Sequence, residues 1–139
     1  MTSELRRLLE QHEGRVRRLY KCTAGFNTIG VGHNLDANPI SDAAIDVILT
    51  DDIAMVEAQL DRWIPWWRKE DAVRQAALID LTFNMGISSF MKFGNTLSAW
   101  VKGDYAGAAA GLEASKWFTQ VGRRGPRVVK MVRDGVWPA

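Results

Sequence analysis

Leu5, Leu8 and Leu9 recur at helical spacing inside a charged stretch, which predicts a short amphipathic helix near the start of the chain. Thr2 or Ser3 can cap it, and Gly14 ends it. Over residues 15–32 the pattern changes. Val16, Leu19 and Tyr20, then Phe26, Ile29 and Val31, flank a Thr23-Ala24-Gly25 turn. That predicts two strands of a hairpin, with room for a third after Gly32. Glycines at 25, 30 and 32 suit tight turns or a close approach of backbone to another group.

Ser41 caps the next helix, where Ile45, Ile48, Leu49, Ile53, Val56 and Leu60 follow at spacings of three and four and the acids face water. Pro65 ends it within a cluster of Trp63, Trp66 and Trp67. A helix over about 71–85 is apolar on nearly every side, which predicts a central position, and Asp80 and Asn84 are its polar exceptions. Shorter helices over about 96–102 and 105–114 start at Asn95 and Asp104. A last helix begins near Pro126 and stops at Gly135. One helix, a small sheet, then five or six helices make an α+β protein, with a minor β lobe (roughly 14–38) and a larger helical lobe. A cleft between such lobes is a usual ligand site.

A length of 139 residues predicts a single domain, 1–139, large enough to bury a core without covalent staples. The 47% hydrophobic and 24% charged fractions exclude a disordered or collagen-like chain. Cys22 is the only cysteine, so no internal disulfide forms. With His12 and His33 the only imidazoles, no metal or other cofactor is implied. No apolar run reaches the ~20 residues that span a bilayer, and the N-terminal stretch is too charged for a secretory signal.

The net charge of +2 hides an asymmetry. Residues 36–71 carry nine acids against Arg62, Arg68 and Lys69, a net of −6. Residues 114–139 carry six bases against Asp134 alone, a net of +5. Such a molecule suits an anionic polymer as partner. Nucleic acid, cell wall and membrane surface all qualify on charge.

The candidate chemistry lies around the hairpin. Glu13 ends the first helix. A lone Glu at such a place is ordinarily solvated surface, but eight residues later comes Cys22, and five more lead to Thr28-Ile29-Gly30-Val31-Gly32-His33. An acid, a thiol and a hydroxyl are thus grouped about one turn.

These residues resemble the phage-type lysozymes, glycoside hydrolase family 24. The resemblance is carried by Glu13-Gly14, Leu19-Tyr20-Lys21, Thr23, Gly25 and the Thr28–His33 run. It continues in Asp71-Ala72-Val73-Arg74, Ala76–Ile79, Phe83-Asn84-Met85-Gly86 and Ala114-Ser115-Lys116-Trp117, and in Arg124, Arg127-Val128 and Trp137. It spans nearly the whole chain in order, with a shortened β lobe after His33.

The resemblance implies a lysozyme-like fold with its site in the cleft between lobes. It implies hydrolysis of the β-1,4 bond between N-acetylmuramic acid and N-acetylglucosamine in peptidoglycan. Glu13 would be the general acid, since the leaving sugar oxygen must be protonated. Cys22 falls where the family has an Asp or, in a minority, a Cys, which supports an attacking water on the opposite face. Thr28 would hold that water.

Phe83 and Thr96 fall at sugar-contacting positions, although Phe83 also reads as the edge of the core. Arg124 matches an arginine that pairs with the catalytic acid, an awkward arrangement because a close cation favours the carboxylate. Binding of wall phosphates is its other reading. A sugar-contacting Asn of the family falls on Gly111. His33 is expected to form a structural ion pair with Asp51, and Trp117 and Trp137 to pack. Either a nearby base such as Lys21 depresses the Cys22 thiol, or a neutral thiol suffices while Thr28 orients the water.

The implied protein is a phage endolysin. It would act as a monomer on anionic peptidoglycan, with no nucleic-acid partner and no stable membrane insertion. It would be held in the host cytoplasm until a holin releases it to the wall. A lysozyme-like wall-binding protein without activity is the competing reading, kept open by Cys22. A basic nucleic-acid-binding domain explains the C-terminal charge but not Glu13, Thr28 or the glycines.

Overall fold

In the computed structural model, which describes residues 2–139, Thr2 Oγ1 accepts the Leu5 amide at 3.2 Å and starts α1 (Ser3–Glu13). Gly14, at φ 81°, closes it by donating to the Glu10 carbonyl. β1 (Val16–Lys21), β2 (Asn27–Gly30) and β3 (His33–Asn34) then form an antiparallel sheet in sequence order, so the third strand is present. Tyr20 faces Thr28 across β1 and β2, and Thr28 faces Asn34 across β2 and β3. A bulge interrupts the first pairing between Val16 and Tyr20.

The chain divides into two compact units, one ending at Ile48 and the other starting at Leu49, so the boundary falls inside the long helix α2 (Asp42–Trp63). Ser41 Oγ accepts the Ala44 amide at its start, as its position suggests. Val56 and Leu60 are its buried residues, whereas Ile45, Ile48 and Leu49 are exposed. The expected apolar stripe is thus interior only in its second half.

The second unit holds the core. After a 3-10 turn (Pro65–Lys69) come α3 (Ala72–Met85), α4 (Ile87–Met91), α5 (Gly94–Val101), α6 (Tyr105–Glu113), α7 (Lys116–Gln120) and α8 (Arg124–Asp134). α6 packs on α5 and α8, and α3 packs on α8. Leu60, Leu78, Leu81, Phe90, Trp100, Leu112 and Val132 are fully buried between them, with Trp67 nearly so. Each buried tryptophan removes some 200 Å² from water, worth up to about 5 kcal/mol of transfer free energy.

Helices α4 and α7 exceed the expected set. Each has five residues, too few to show a helical period. Asp71 and Asp104 cap α3 and α6 through the Arg74 and Gly107 amides. Asn95 does not cap α5, which already starts at Gly94. Pro126 is the third residue of α8 rather than the first, a place where its missing N–H still costs nothing. Trp117 is buried as expected, but Trp137 lies beyond α8 and is 63% exposed.

Candidate active site

The turn between β1 and β2 is built from hydrogen bonds that fix Cys22. The Gly25 amide donates to the Cys22 carbonyl at 2.8 Å, and the Cys22 amide to the Phe26 carbonyl at 3.0 Å. Gly25 sits at φ 86°, which closes a three-residue hairpin loop that few other residues could. Cys22 therefore stands at the mouth of the hairpin, with a free, partly exposed thiol. Its pKa is lowered from the ordinary thiol value. Hydrogen bonding from the Phe26 backbone is the largest cause, opposed by partial burial and reinforced by the Ala24 backbone, the Thr28 hydroxyl and the Gly25 backbone. Lys21, the expected cause, takes no part: the turn's own dipoles do the work of a cation.

Thr28 is the only side chain in the first unit, among the described residues, that is buried. Its Oγ1 donates to the Phe26 carbonyl at 2.8 Å, and the hydroxyl is among the groups that lower the pKa of the Cys22 thiol. Cys22 and Thr28 are thus brought together as expected.

Glu13, the last residue of α1, is exposed. Its carboxyl lies against the backbone of Gly32: a Cβ at position 32 would stand 2.7 Å from Glu13 Oε2 and 3.1 Å from its Cγ. Gly32 also has φ 63°, a conformation that favours glycine, and a Cβ there would push the Glu13 carboxyl aside. The glycine run anticipated a close backbone approach, and its object is the acid itself. One turn of the sheet therefore carries the acid's support, and the hairpin on its other side carries the thiol and the hydroxyl.

His33 follows directly. Its Nε2 lies 2.9 Å from the Asn38 carbonyl, so the ring donates to a backbone acceptor in its own unit. The loop after β3 is drawn back to β2 by Asp36, which accepts from the Asn27 amide at 2.8 Å and from its side chain at 3.2 Å.

In the second unit, Arg124 has a carboxylate partner that the sequence comparison did not supply. Its Nε donates to Asp80 Oδ1 at 2.8 Å, a half-exposed pair between α8 and α3. Arg124, Asp80 and Phe83 share one hollow of about 300 Å³ whose remaining wall is apolar. Phe83 is 44% exposed there, which removes its core reading. Thr96 does not join them. It is buried beside Gly111 in a separate hollow of about 570 Å³ over α5 and α6, where a side chain at position 111 would run into the Thr96 hydroxyl. Asn84, the other polar exception of α3, accepts the Trp117 indole N–H at 2.8 Å.

Residues 10–133 match the family model described as phage lysozyme. The chain is 29% identical to the pre-baseplate central spike protein of Enterobacteria phage T4 over 92% of its own length, but it spans only 27% of that longer protein. It is 27% identical to a probable T4-type lysozyme of Dictyostelium discoideum, covering 97% of this chain and 96% of that one. It is 33% identical to an endolysin of a phage from a secondary endosymbiont of Acyrthosiphon pisum, over 79% of this chain and 74% of the relative. A small antiparallel sheet joined to a helical unit, with Glu13, Cys22 and Thr28 on or beside the sheet, is the arrangement of a lysozyme-type glycoside hydrolase. The chain belongs to the phage lysozyme family.

Proposed function

We propose that this chain is an endolysin that hydrolyses the β-1,4 bond between N-acetylmuramic acid and N-acetylglucosamine in peptidoglycan. The observation that carries the reading is the seat of Glu13 against Gly32, which fixes a carboxyl at the edge of a hairpin whose mouth holds Cys22 and Thr28. Glu13 gives its proton to the leaving sugar oxygen. Cys22 and Thr28 serve the opposite face of the sugar, where the thiolate stands in for a carboxylate and the Thr28 hydroxyl orients the attacking water. The lowered thiol pKa supports this role, because it makes the charged form accessible closer to neutral pH. Phe83 and Arg124, lining one hollow, and Thr96, lining another, are the saccharide-contacting residues of the second unit.

The enzyme acts as a monomer without a cofactor or nucleic-acid partner. It waits in the host cytoplasm until a holin opens the way to the wall, and then lyses the host. The basic C-terminal stretch favours an anionic wall. No helix among the described residues is long and apolar enough to cross a membrane.

The test is mass spectrometry of muropeptides released from purified sacculi. Reducing-end N-acetylmuramic acid is the expected product, and an anhydro-muramic end would replace hydrolysis by transglycosylation. Glu13→Gln keeps the shape of the acid without its proton and should cost at least about 10²–10⁴-fold in rate while leaving the fold intact. A variant that lyses at the parent rate would unseat Glu13 and this reading with it.

A further inference from the structure

On the second unit lies a hollow of about 390 Å³ that uses none of the residues assigned to the reaction. Trp66 and Tyr105 wall it, Trp100 lies at its base, and Lys69 and Lys102 stand at its rim. The two indoles are tilted by 52° with centres 6.3 Å apart. Trp66 is half-buried, so part of its face is open, whereas Trp100 is fully buried.

Three features mark this as more than packing. First, the Trp100 Nε1 donor is buried with no hydrogen-bond partner, a state that native interiors rarely tolerate. Second, neither lysine forms an ion pair among the described residues, although acids are close in sequence. Third, the one carboxylate in the wall, Glu70, accepts the Tyr105 hydroxyl at Oε2 at 2.9 Å, and the Arg74 guanidinium lies 3.5 Å from the centre of the Tyr105 ring and adds positive charge there. The hollow therefore offers the half-buried face of Trp66 and two lysine ammonium groups unpaired among the described residues. That combination suits a flat apolar ring face joined to an anionic acceptor.

We propose that this hollow is a second glycan-binding site, which takes an acidic saccharide with its ring against Trp66 and its carboxylate between Lys69 and Lys102. The inference rests on peptidoglycan as substrate. N-acetylmuramic acid stripped of its stem peptide has both parts, a pyranose ring and a free lactyl carboxylate. A peptide-stripped glycan strand held here stays attached to the enzyme between cuts, which raises its effective concentration at the reactive residues.

The test uses full-length protein labelled with nitrogen-15 and the disaccharide N-acetylglucosaminyl-N-acetylmuramic acid, compared with neutral chitobiose and with inorganic phosphate. The indole Nε1–H signals of Trp66 and Trp100 should shift with the acidic disaccharide and not with the other two. In the Lys69→Glu/Lys102→Glu variant, both lysines being exposed, the apparent Kd for that shift should rise about tenfold or more. Trp66→Leu, checked for folding by circular dichroism, should weaken it comparably. Unmoved indole signals, an equal response to chitobiose or phosphate, or an unchanged Kd in the lysine variant would each overturn the site. Sacculus digestion by the parent protein is scored alongside. Digestion without the shift removes this site and leaves the activity, and the shift without digestion does the reverse.

Discussion

The carboxyl of Glu13 rests on the α-carbon of Gly32, closer than any side chain at position 32 would permit. The Glu13 carboxyl thus occupies space that a Cβ at position 32 would take. Gly32→Ala should be damaging in two ways. The left-handed φ of 63° costs about 1–3 kcal/mol for a residue with a Cβ, and the methyl group displaces the carboxyl. We expect a lower melting temperature and at least a tenfold fall in kcat, a size that about 1.4 kcal/mol of misplacement already gives. Gly30→Ala has a similar φ but meets nothing within 4 Å, so it should lose stability with a much smaller loss of rate. Thermal melts and turbidity assays on the two variants separate strain from positioning.

The Cys22 thiol titrates below the ordinary value near ~8.5. A depressed acid stabilises the fold fully above the unfolded pKa, and that share is lost as pH falls through the lowered folded value. Rates of iodoacetamide modification against pH should therefore inflect below the value for a free cysteine peptide. Thr28→Val removes one of the groups that favour the thiolate, so it should move the inflection upward. For activity, Cys22→Asp should be competent and Cys22→Ser weak, and alkylation should block the parent but not the Asp variant. A fully active Cys22→Ala would take the thiol out of the reaction. An α-anomeric product indicates direct attack by water, and a β-anomer a covalent thioglycoside.

Asp61 accepts from Trp67 Nε1 at 2.8 Å and from Arg68 at 2.6 and 3.0 Å. Its pKa is lowered, chiefly by the Arg68 hydrogen bonds and then by the indole. Its stabilising share is present above the unfolded value of ~3.9 and lost as pH falls through the lower folded value. Melting temperatures measured from pH 5 to pH 2 should fall less steeply for Asp61→Asn than for the parent. Asp61→Ala should destabilise more than Arg68→Ala, because only the former strands the N–H of buried Trp67.

Asn84→Ala should cost about 1–3 kcal/mol by leaving the Trp117 indole N–H without its acceptor. Pairing it with Trp117→Phe, which has no N–H to strand, should cost less than the two single losses added together. Urea melts of the four proteins close that cycle.

Most of the helices, and the hairpin with its extra strand, could be read from periodicity and caps because those signals are local. Thr2, Ser41 and Asp104 all cap as their spacing suggests. The five-residue helices α4 and α7 could not be read, since one and a half turns show no period. Cys22 and Thr28 were legible as a pair because the Thr23–Gly25 turn folds β2 back beside them. Partners between distant helices were not. Asp80 and Asn84 stood out as polar residues on an apolar helix, but nothing local tells that 44 residues on lies Arg124, or 33 residues on Trp117. The Asn38 carbonyl that accepts from the His33 ring, five residues on in an irregular loop, carried no signal in the sequence either.

Thr28 being the lone buried side chain among the described residues up to Ile48 means that this unit has almost no oily interior to keep it folded. Its coherence comes from directed contacts such as Asn27 with Asp36, the Asn34 side chain accepting the Asp36 and Ala37 amides, and the hairpin turn. Water and urea compete directly for such contacts, whereas the helices around Trp67 and Trp100 are guarded by apolar burial. Inactivation should therefore run ahead of denaturation. At intermediate urea the tryptophan fluorescence would still report a folded protein, while the amides of the sheet exchange freely and the wall is no longer cut.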